Sequence, residues 1–491
     1  MACTTSRPPE SVRIAVPFEV TTLDPHAEDK LSNSAVVFNN IYEPLVSFDA
    51  EMKIRPALAE SWENPEATAW TFHLRRGAVF HSGHQLTAAD VVHSFRRLLD
   101  SPTLQIRGYV ATVVEVRALS EHDVLIKTRV QSPVFLSKLA QVMIVREGST
   151  VDSLRGAADG TGPYAVSGWT PGQLLRLRKH DRYWGAVDGA IGEAEFVLAQ
   201  TPAEAISGLL GGRDHVIRCD SKEIERTVGS SERYEILRRD NLYVKYLAFD
   251  LARGITPYCS RAPNPFLDRR VREAVDLAIN RPRLVREIQS YGVPATQPVP
   301  RPVLGFNPAI LDRGYHPDEA RALLESAGVG SGFKVTLHAR KIVADAAKAV
   351  QEDLARVGIE VEVVTLADLD FFDLMNRRGA TFWLNRFGCA TGDASDFLDS
   401  FVHSPAATHG FGTLNYAGFS DAALDRAIED SAMTDSAETR RDLLQDLLGR
   451  IMEERIVVPL YDDQDVYAVD RRFTWRPRAD SGIRIADIGL R

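Results

Sequence analysis

The sequence predicts an α/β fold built around a parallel sheet, and three observations in its last third predict it. Phe333, Val335 and Leu337 alternate as one face of a strand; Val343, Ala347, Val350, Leu354 and Val357 then recur at helical spacing until Gly358, which suits a C-cap. Ile359, Val361 and Val363 repeat the period of two, and Thr365 with Asp368 has the spacing of a capping box for a helix through Asn376. The apolar run "ATFWLNRF" closes the series as a third short strand. Right-handed crossovers between three such strands make them parallel.

Composition sets the frame around this unit. A chain of 491 residues is too long for one ordinary core, so two or three domains are expected, and 44% hydrophobic with 25% charged residues is a globular balance. The 58 basic and 67 acidic residues give a net charge of −9 without charged blocks, which argues against a nucleic-acid partner. No window approaches the roughly 18 consecutive apolar residues that cross a bilayer, and "MACTTSRPPE" contains no apolar signal core. Cys3, followed by a polar Pro-rich segment, resembles the tether of a bacterial lipoprotein. Four cysteines without a Cys-x-x-Cys pair suit neither a disulfide scaffold nor zinc.

Further elements follow in chain order. In "SVRIAVPFEVTTLDPH", Val12, Ile14 and Val16 alternate and run into a Thr-Thr-Leu-Asp-Pro turn, a strand delivering a loop. Trp70, Phe72 and Leu74 form another strand, and Thr87 with Asp90 opens a helix whose Val91, Phe95 and Leu98 share a face. "GTGPY" at Gly160–Tyr164 reads as a turn into a strand, because Pro163 and a missing third glycine spoil a dinucleotide fingerprint. "GVGSG" at Gly328–Gly332 lies between a helix and a strand, the wrong side for a phosphate cradle. His81 and His84 offer two metal ligands with no third in register, so a polar turn is expected and no metal or cofactor. No Gly-x-Ser-x-Gly elbow, His-Glu-x-x-His or P-loop occurs.

The stretch "NRFGCATGDASDF", Asn385–Phe397, follows the third strand of the parallel unit, and open parallel sheets bind ligands beyond the carboxyl ends of their strands. Arg386 offers a donor fork for a carboxylate or a salt bridge to a neighbouring domain. Asp393 and Asp396 suit acid–base work, while Asp393 or Ser395 equally suits the cap of a helix beginning near Phe397, with Leu398 and Phe401 facing a core. Cys389 is a nucleophile only beside a base, and no motif supplies one.

These residues together resemble the family 5 extracellular solute-binding proteins, the oligopeptide, dipeptide and nickel binding components of ABC importers. "TLDPH" at Thr22–His26, "LAESWE" at Leu58–Glu63, "FHLRRGAVFHSGHQLTAADVVHSFRRLLD" at Phe72–Asp100, "GTGPY" and "DRYWG" at Asp181–Gly185 occur in the family's order. So do "PFLDRRVREAVDLAINR" at Pro265–Arg281, "NYAGFSDAALD" at Asn415–Asp425 and "VVPLY" at Val457–Tyr461. The resemblance implies a two-lobed periplasmic binding protein, class II and cluster C type, with an extra subdomain in lobe I. Lobe I would comprise 1–44, the subdomain 45–160, 161–251 and a return at 466–491; lobe II would be 252–465. It also implies a monomer without cofactor that closes on a solute, delivers it to a membrane permease, and works in the periplasm or outside the cytoplasm, anchored through a lipid on Cys3.

Two departures from the family bear on the ligand. The aspartate that holds a peptide's amino terminus falls at Ala390 or Thr391, and the arginine that holds a dipeptide's carboxylate falls at Ala344, with Arg340 and Lys341 close by. The resemblance and the topology turn Thr22, Leu23, Tyr42 and Tyr164 of lobe I, and Asn385, Arg386, Phe387, Ala390 and Asp393 of lobe II, toward the ligand. Neutral or anionic solutes are therefore expected in preference to short peptides with a free amino terminus. Some oligopeptide-binding members also imply a disulfide between Cys259 and Cys389, leaving Cys219 unpaired. The rival functions are a hydrolase using Asp393, Asp396 or Cys389, and a receptor or folding helper on the same fold.

Overall fold

The computed structural model describes residues 10–491 apart from 28–34, 102, 188–190, 289, 407–410 and 435; Cys3 lies outside the described residues. The chain divides into two units, Met1–Arg239 with Asp465–Arg491 and Asp240–Gln464. It passes from the first to the second inside the strand Tyr234–Phe249 and returns inside the strand Val457–Asp470. The first passage was expected in the loop after Leu251. It falls earlier because residues 243–249 pair antiparallel with 382–388 and so pack with the second unit. Asp465 goes with the first unit, where Arg218 Nη2 donates to its Oδ1 at 2.8 Å.

In the first unit, the alternating Val12, Ile14 and Val16 lie on the strand Glu10–Val16 and are at most 2% exposed. That strand pairs parallel with Ile191–Leu198 and with Val216–Cys219, and antiparallel neighbours extend the sheet on both sides. A separate core gathers residues between Leu45 and Ile144 under a four-stranded antiparallel sheet. Its helix, Ala88–Asp100, buries Val91, Phe95 and Leu98 on one face, and the Asp90 carboxylate accepts the Thr87 N–H at 2.8 Å, as the capping-box spacing predicts. "GTGPY" enters the strand Tyr164–Thr170. Its glycines are needed for close approach: a Cβ on Gly160 would stand 2.0 Å from Ile41 O.

The second unit contains the parallel unit read from the sequence. Strand Phe333–Arg340 pairs parallel with Ile359–Leu366 on one side and with Phe382–Gly388 on the other. The helix Ala344–Ala355 buries Ala347, Val350 and Leu354, and Gly358 takes φ 87° after it. One detail differs. The helix Asp368–Asn376 begins at Asp368 itself, because that carboxylate is held by Arg340, with Nε at 2.7 Å, and is not free to reach back to a cap. A charge-assisted pair to a buried guanidinium outweighs a local capping bond.

The expected Cys259–Cys389 disulfide is not formed; Cys219, Cys259 and Cys389 are free thiols. Cys259 bridges to Val335, two residues before Leu337, and Leu337 stands level with Phe382, seven residues before Cys389. At roughly 3.3 Å per residue the two thiols are about 30 Å apart along the strands, far beyond the roughly 7 Å between Cα atoms that a disulfide spans.

Candidate functional site

The end of strand Phe382–Gly388 presents two different faces. Arg386 stands directly opposite Lys245 in the antiparallel pair, so the two cations share one face. Lys245 is buried and bonded to Asp463, and burial, only partly offset by Asp463, pushes its ammonium down to about 8. Arg386 is half-buried, with its guanidinium 4.3 Å from the centre of the Tyr243 ring, and no carboxylate pairs with it among the described residues. Arg340, the other cation near Lys245, is neutralised by Asp368. Arg386 thus makes no ion pair of its own on this face, although its charge also acts on Asp368, and its donor fork suits an anion.

Asn385 and Phe387 lie on the opposite face, as alternation requires. Phe387 packs edge-on against Phe397 at 5.2 Å, while Phe401 meets Tyr246, the residue opposite Asn385. Leu398 and Phe401 are at most 1% exposed, facing the core as their spacing predicts. Asn385 is 6% exposed, and its Oδ1 has no hydrogen-bond partner among the described residues.

The loop that follows is held by its own acids. Asp393 is gripped by Arg440 through both oxygens, and its Oδ1 also accepts the Ser395 N–H at 2.9 Å. Asp396 Oδ2 accepts the Thr391 N–H at 2.8 Å, and Leu304 bonds the backbone of Gly392 and Ala394. Asp393 thus pairs with Arg440 and accepts the Ser395 N–H, so its charge is already matched; the short helix Ser395–Phe397 has Ala394 at its N-cap position and no side-chain cap, where Asp393 or Ser395 was expected to supply one. Arg440 was missed by sequence reasoning, since nothing in the spacing couples it to a loop 47 residues earlier. Cys389 is fully buried, and burial raises its thiol well above the usual value, so it carries no thiolate for attack. Ala390 is half-buried.

In the first unit, Thr22 Oγ1 accepts the Asp24 N–H at 3.1 Å, and the buried Tyr42 donates its hydroxyl to Leu23 O at 2.8 Å. Tyr42 therefore fixes the Thr22–Leu23 loop from beneath. Tyr164 is also buried and donates to Ile191 O at 3.0 Å. His81 lies with Nε2 3.0 Å from Gly162 O, its ring edge-on to His180 at 4.9 Å, and burial pushes it down to about 4. Among the described residues no group of three His, Cys, Asp or Glu is arranged to hold a metal.

Residues 53–409 match the family described as bacterial extracellular solute-binding proteins, family 5 Middle. Heme-binding protein A of Haemophilus influenzae is 24% identical over 82% of this chain and 78% of its own. The glutathione-binding protein GsiB of Shigella dysenteriae is 25% identical over 98% of this chain and 94% of its own. The structure of the periplasmic binding protein DppA from Helicobacter pylori in complex with the peptide STSA superposes with a TM-score of 0.81 at 21% identity, covering 98% of both chains. At that identity the superposition speaks for the fold.

Proposed function

The chain belongs to the bacterial extracellular solute-binding proteins of family 5 and is the substrate-binding component of an ABC importer; we propose that its solute is peptide-like, neutral or anionic, and recognised at Arg386. The names of the relatives span heme, glutathione and peptides, so resemblance alone does not choose among them. The observation that carries the reading is the Arg386 guanidinium, stacked on Tyr243 and unmatched by a carboxylate among the described residues. Asn385 and Phe387, buried on the opposite face of the strand, do not share the Arg386 surface. Ala390 and Thr391 offer no charge for an ammonium group, and Asp393 is neutralised by Arg440.

The protein binds without turnover, because Asp393 and Cys389 are unsuited to acid–base or nucleophilic work. The family works outside the cytoplasm, and a lipid on Cys3 would tether this member beside its permease; incorporation of labelled fatty acid that disappears in Cys3→Ala tests the tether. Calorimetry tests the solute. N-acetylated tripeptides with a free carboxylate should bind more tightly than the unacetylated peptides, and Arg386→Ala should remove the difference between acid and amide forms. Tight binding of unmodified di- and tripeptides, insensitive to Arg386→Ala, would overturn the reading.

A further inference from the structure

A cavity of about 220 Å³ opens in the second unit beside the C-terminal end of the helix Ala437–Glu454, lined by none of the residues assigned above. Its inner wall carries Asp276, Arg281 and Arg455, each at most 9% exposed. Arg281 is fully engaged: Nε donates to Pro459 O at 2.8 Å, and both Nη groups go to Asp276. Arg455 forms an ion pair with Asp276, Nε standing 3.0 Å from Oδ2, but none of its guanidinium nitrogens makes a hydrogen bond among the described residues. Two buried guanidiniums thus share one buried carboxylate. At the rim Arg313 pairs with Glu273 and Glu319, Glu273 also favours the charge on Arg455, and the acids of the lining, Asp312 and Glu453, are exposed to water that screens them. What the cavity offers a ligand is therefore the Nη donors of Arg455, which suit the oxygens of an acceptor that can take both.

The rest of the lining is apolar and open. Met452 lies inside, and Ile310 and Leu311 stand at the mouth, Leu311 77% exposed. Gly449 sits in the helix interior, where glycine costs about 1 kcal/mol against alanine. A Cβ there would meet nothing within 4 Å, so packing does not require the glycine and its absent side chain leaves the cavity unfilled. At about 220 Å³ the space is below the roughly 300 Å³ of a drug-sized pocket. We propose that this cavity is a second binding site, for a small monocarboxylate with a short apolar tail. The carboxylate bonds the free Nη groups of Arg455 and the tail lies against Met452, Ile310 and Leu311.

The test uses the full chain and isovalerate as probe, with calorimetry and ligand-observed NMR. Saturable binding is expected, weakened about ten-fold or more by Arg455→Gln, since a charge-assisted pair is lost. Isovaleramide, of the same shape without the charge, should not compete. Gly449→Leu should block binding while melting no lower than the parent, because it fills open space in a helix. Binding should be unchanged by Arg386→Ala, which separates this site from the proposed solute site. No saturable binding, binding that survives Gly449→Leu, or binding lost in Arg386→Ala would each overturn the proposal.

Discussion

Arg440 holds Asp393 through both carboxylate oxygens, with side chains only 5% and 6% exposed, and thereby ties the helix Ala437–Glu454 to the loop after the strand Phe382–Gly388. Asp393→Ala would leave a buried guanidinium unmatched. A loss of about 3–5 kcal/mol is expected in urea denaturation. Replacing both residues, as Asp393→Leu with Arg440→Met, should recover much of it. A single-variant loss below about 1 kcal/mol would show that the pair contributes little.

Arg386 stacks on Tyr243, a cation–π interaction of about 0.5–1 kcal/mol at a partly exposed site, and its attraction to Asp368 is opposed by repulsion from Lys245. Arg386→Ala should therefore melt close to the parent while losing about 1.5–3 kcal/mol of affinity for a carboxylate ligand. Arg386→Lys should not restore that affinity, because an ammonium lacks the planar fork. Equal binding by the lysine variant would point to a simple charge effect.

The pH dependence of stability has two opposed sources. Glu43 accepts hydrogen bonds from Tyr183 at 2.8 Å and Trp184 at 2.9 Å, yet burial raises its carboxyl from 4.5 to about 7. The folded state then holds the proton more tightly than the unfolded chain, so this contribution is fully present below pH 4.5 and is lost as the pH rises to about 7. His26 and His81, both pushed from 6.5 to about 4 by burial, act oppositely: their contribution is present above pH 6.5 and lost toward pH 4. The stability of the parent minus that of Glu43→Gln should fall by roughly 3 kcal/mol between pH 4.5 and 7. Denaturation series at several pH values giving a flat difference would remove Glu43 from the account.

Gly160 and Gly162 lie against the backbone of Asn40 and Ile41, where added Cβ atoms would stand 2.0 Å and 2.6 Å from carbonyl oxygens. Gly160→Ala should cost about 1–3 kcal/mol or more, as overpacking does. Gly108, with nothing within 4 Å of its Cβ position, is the control, and alanine there should change stability by less than about 0.5 kcal/mol. Equal effects at the two sites would contradict the close approach.

Cys259 is half-buried, and Cys219 and Cys389 are buried. Under non-reducing conditions a thiol reagent should label Cys259 in the native protein and the other two only after denaturation. A recovered peptide cross-linked between Cys259 and Cys389 would contradict the strand register that holds them apart.

The sequence by itself determined the elements whose signal is local. The strand–helix–strand–helix–strand order of residues 333–388, the helix face of Val91, Phe95 and Leu98, and the Thr87–Asp90 box could be read because periodicity and capping repeat within a turn or two of chain. Tertiary structure alone decided which charges are matched. Asp368 had the spacing of a cap and went to Arg340; Asp393 looked available to a ligand and went to Arg440; Arg386, next to three neutral residues in sequence, kept its charge. The same holds for Cys259 and Cys389, whose separation follows from the Cys259–Val335 bridge and the register of the strands Phe333–Arg340 and Phe382–Gly388. The physical reason is that an unmatched buried charge costs far more than a lost cap, so buried ionic groups settle with whichever partner the fold brings within reach, and sequence spacing does not encode that partner.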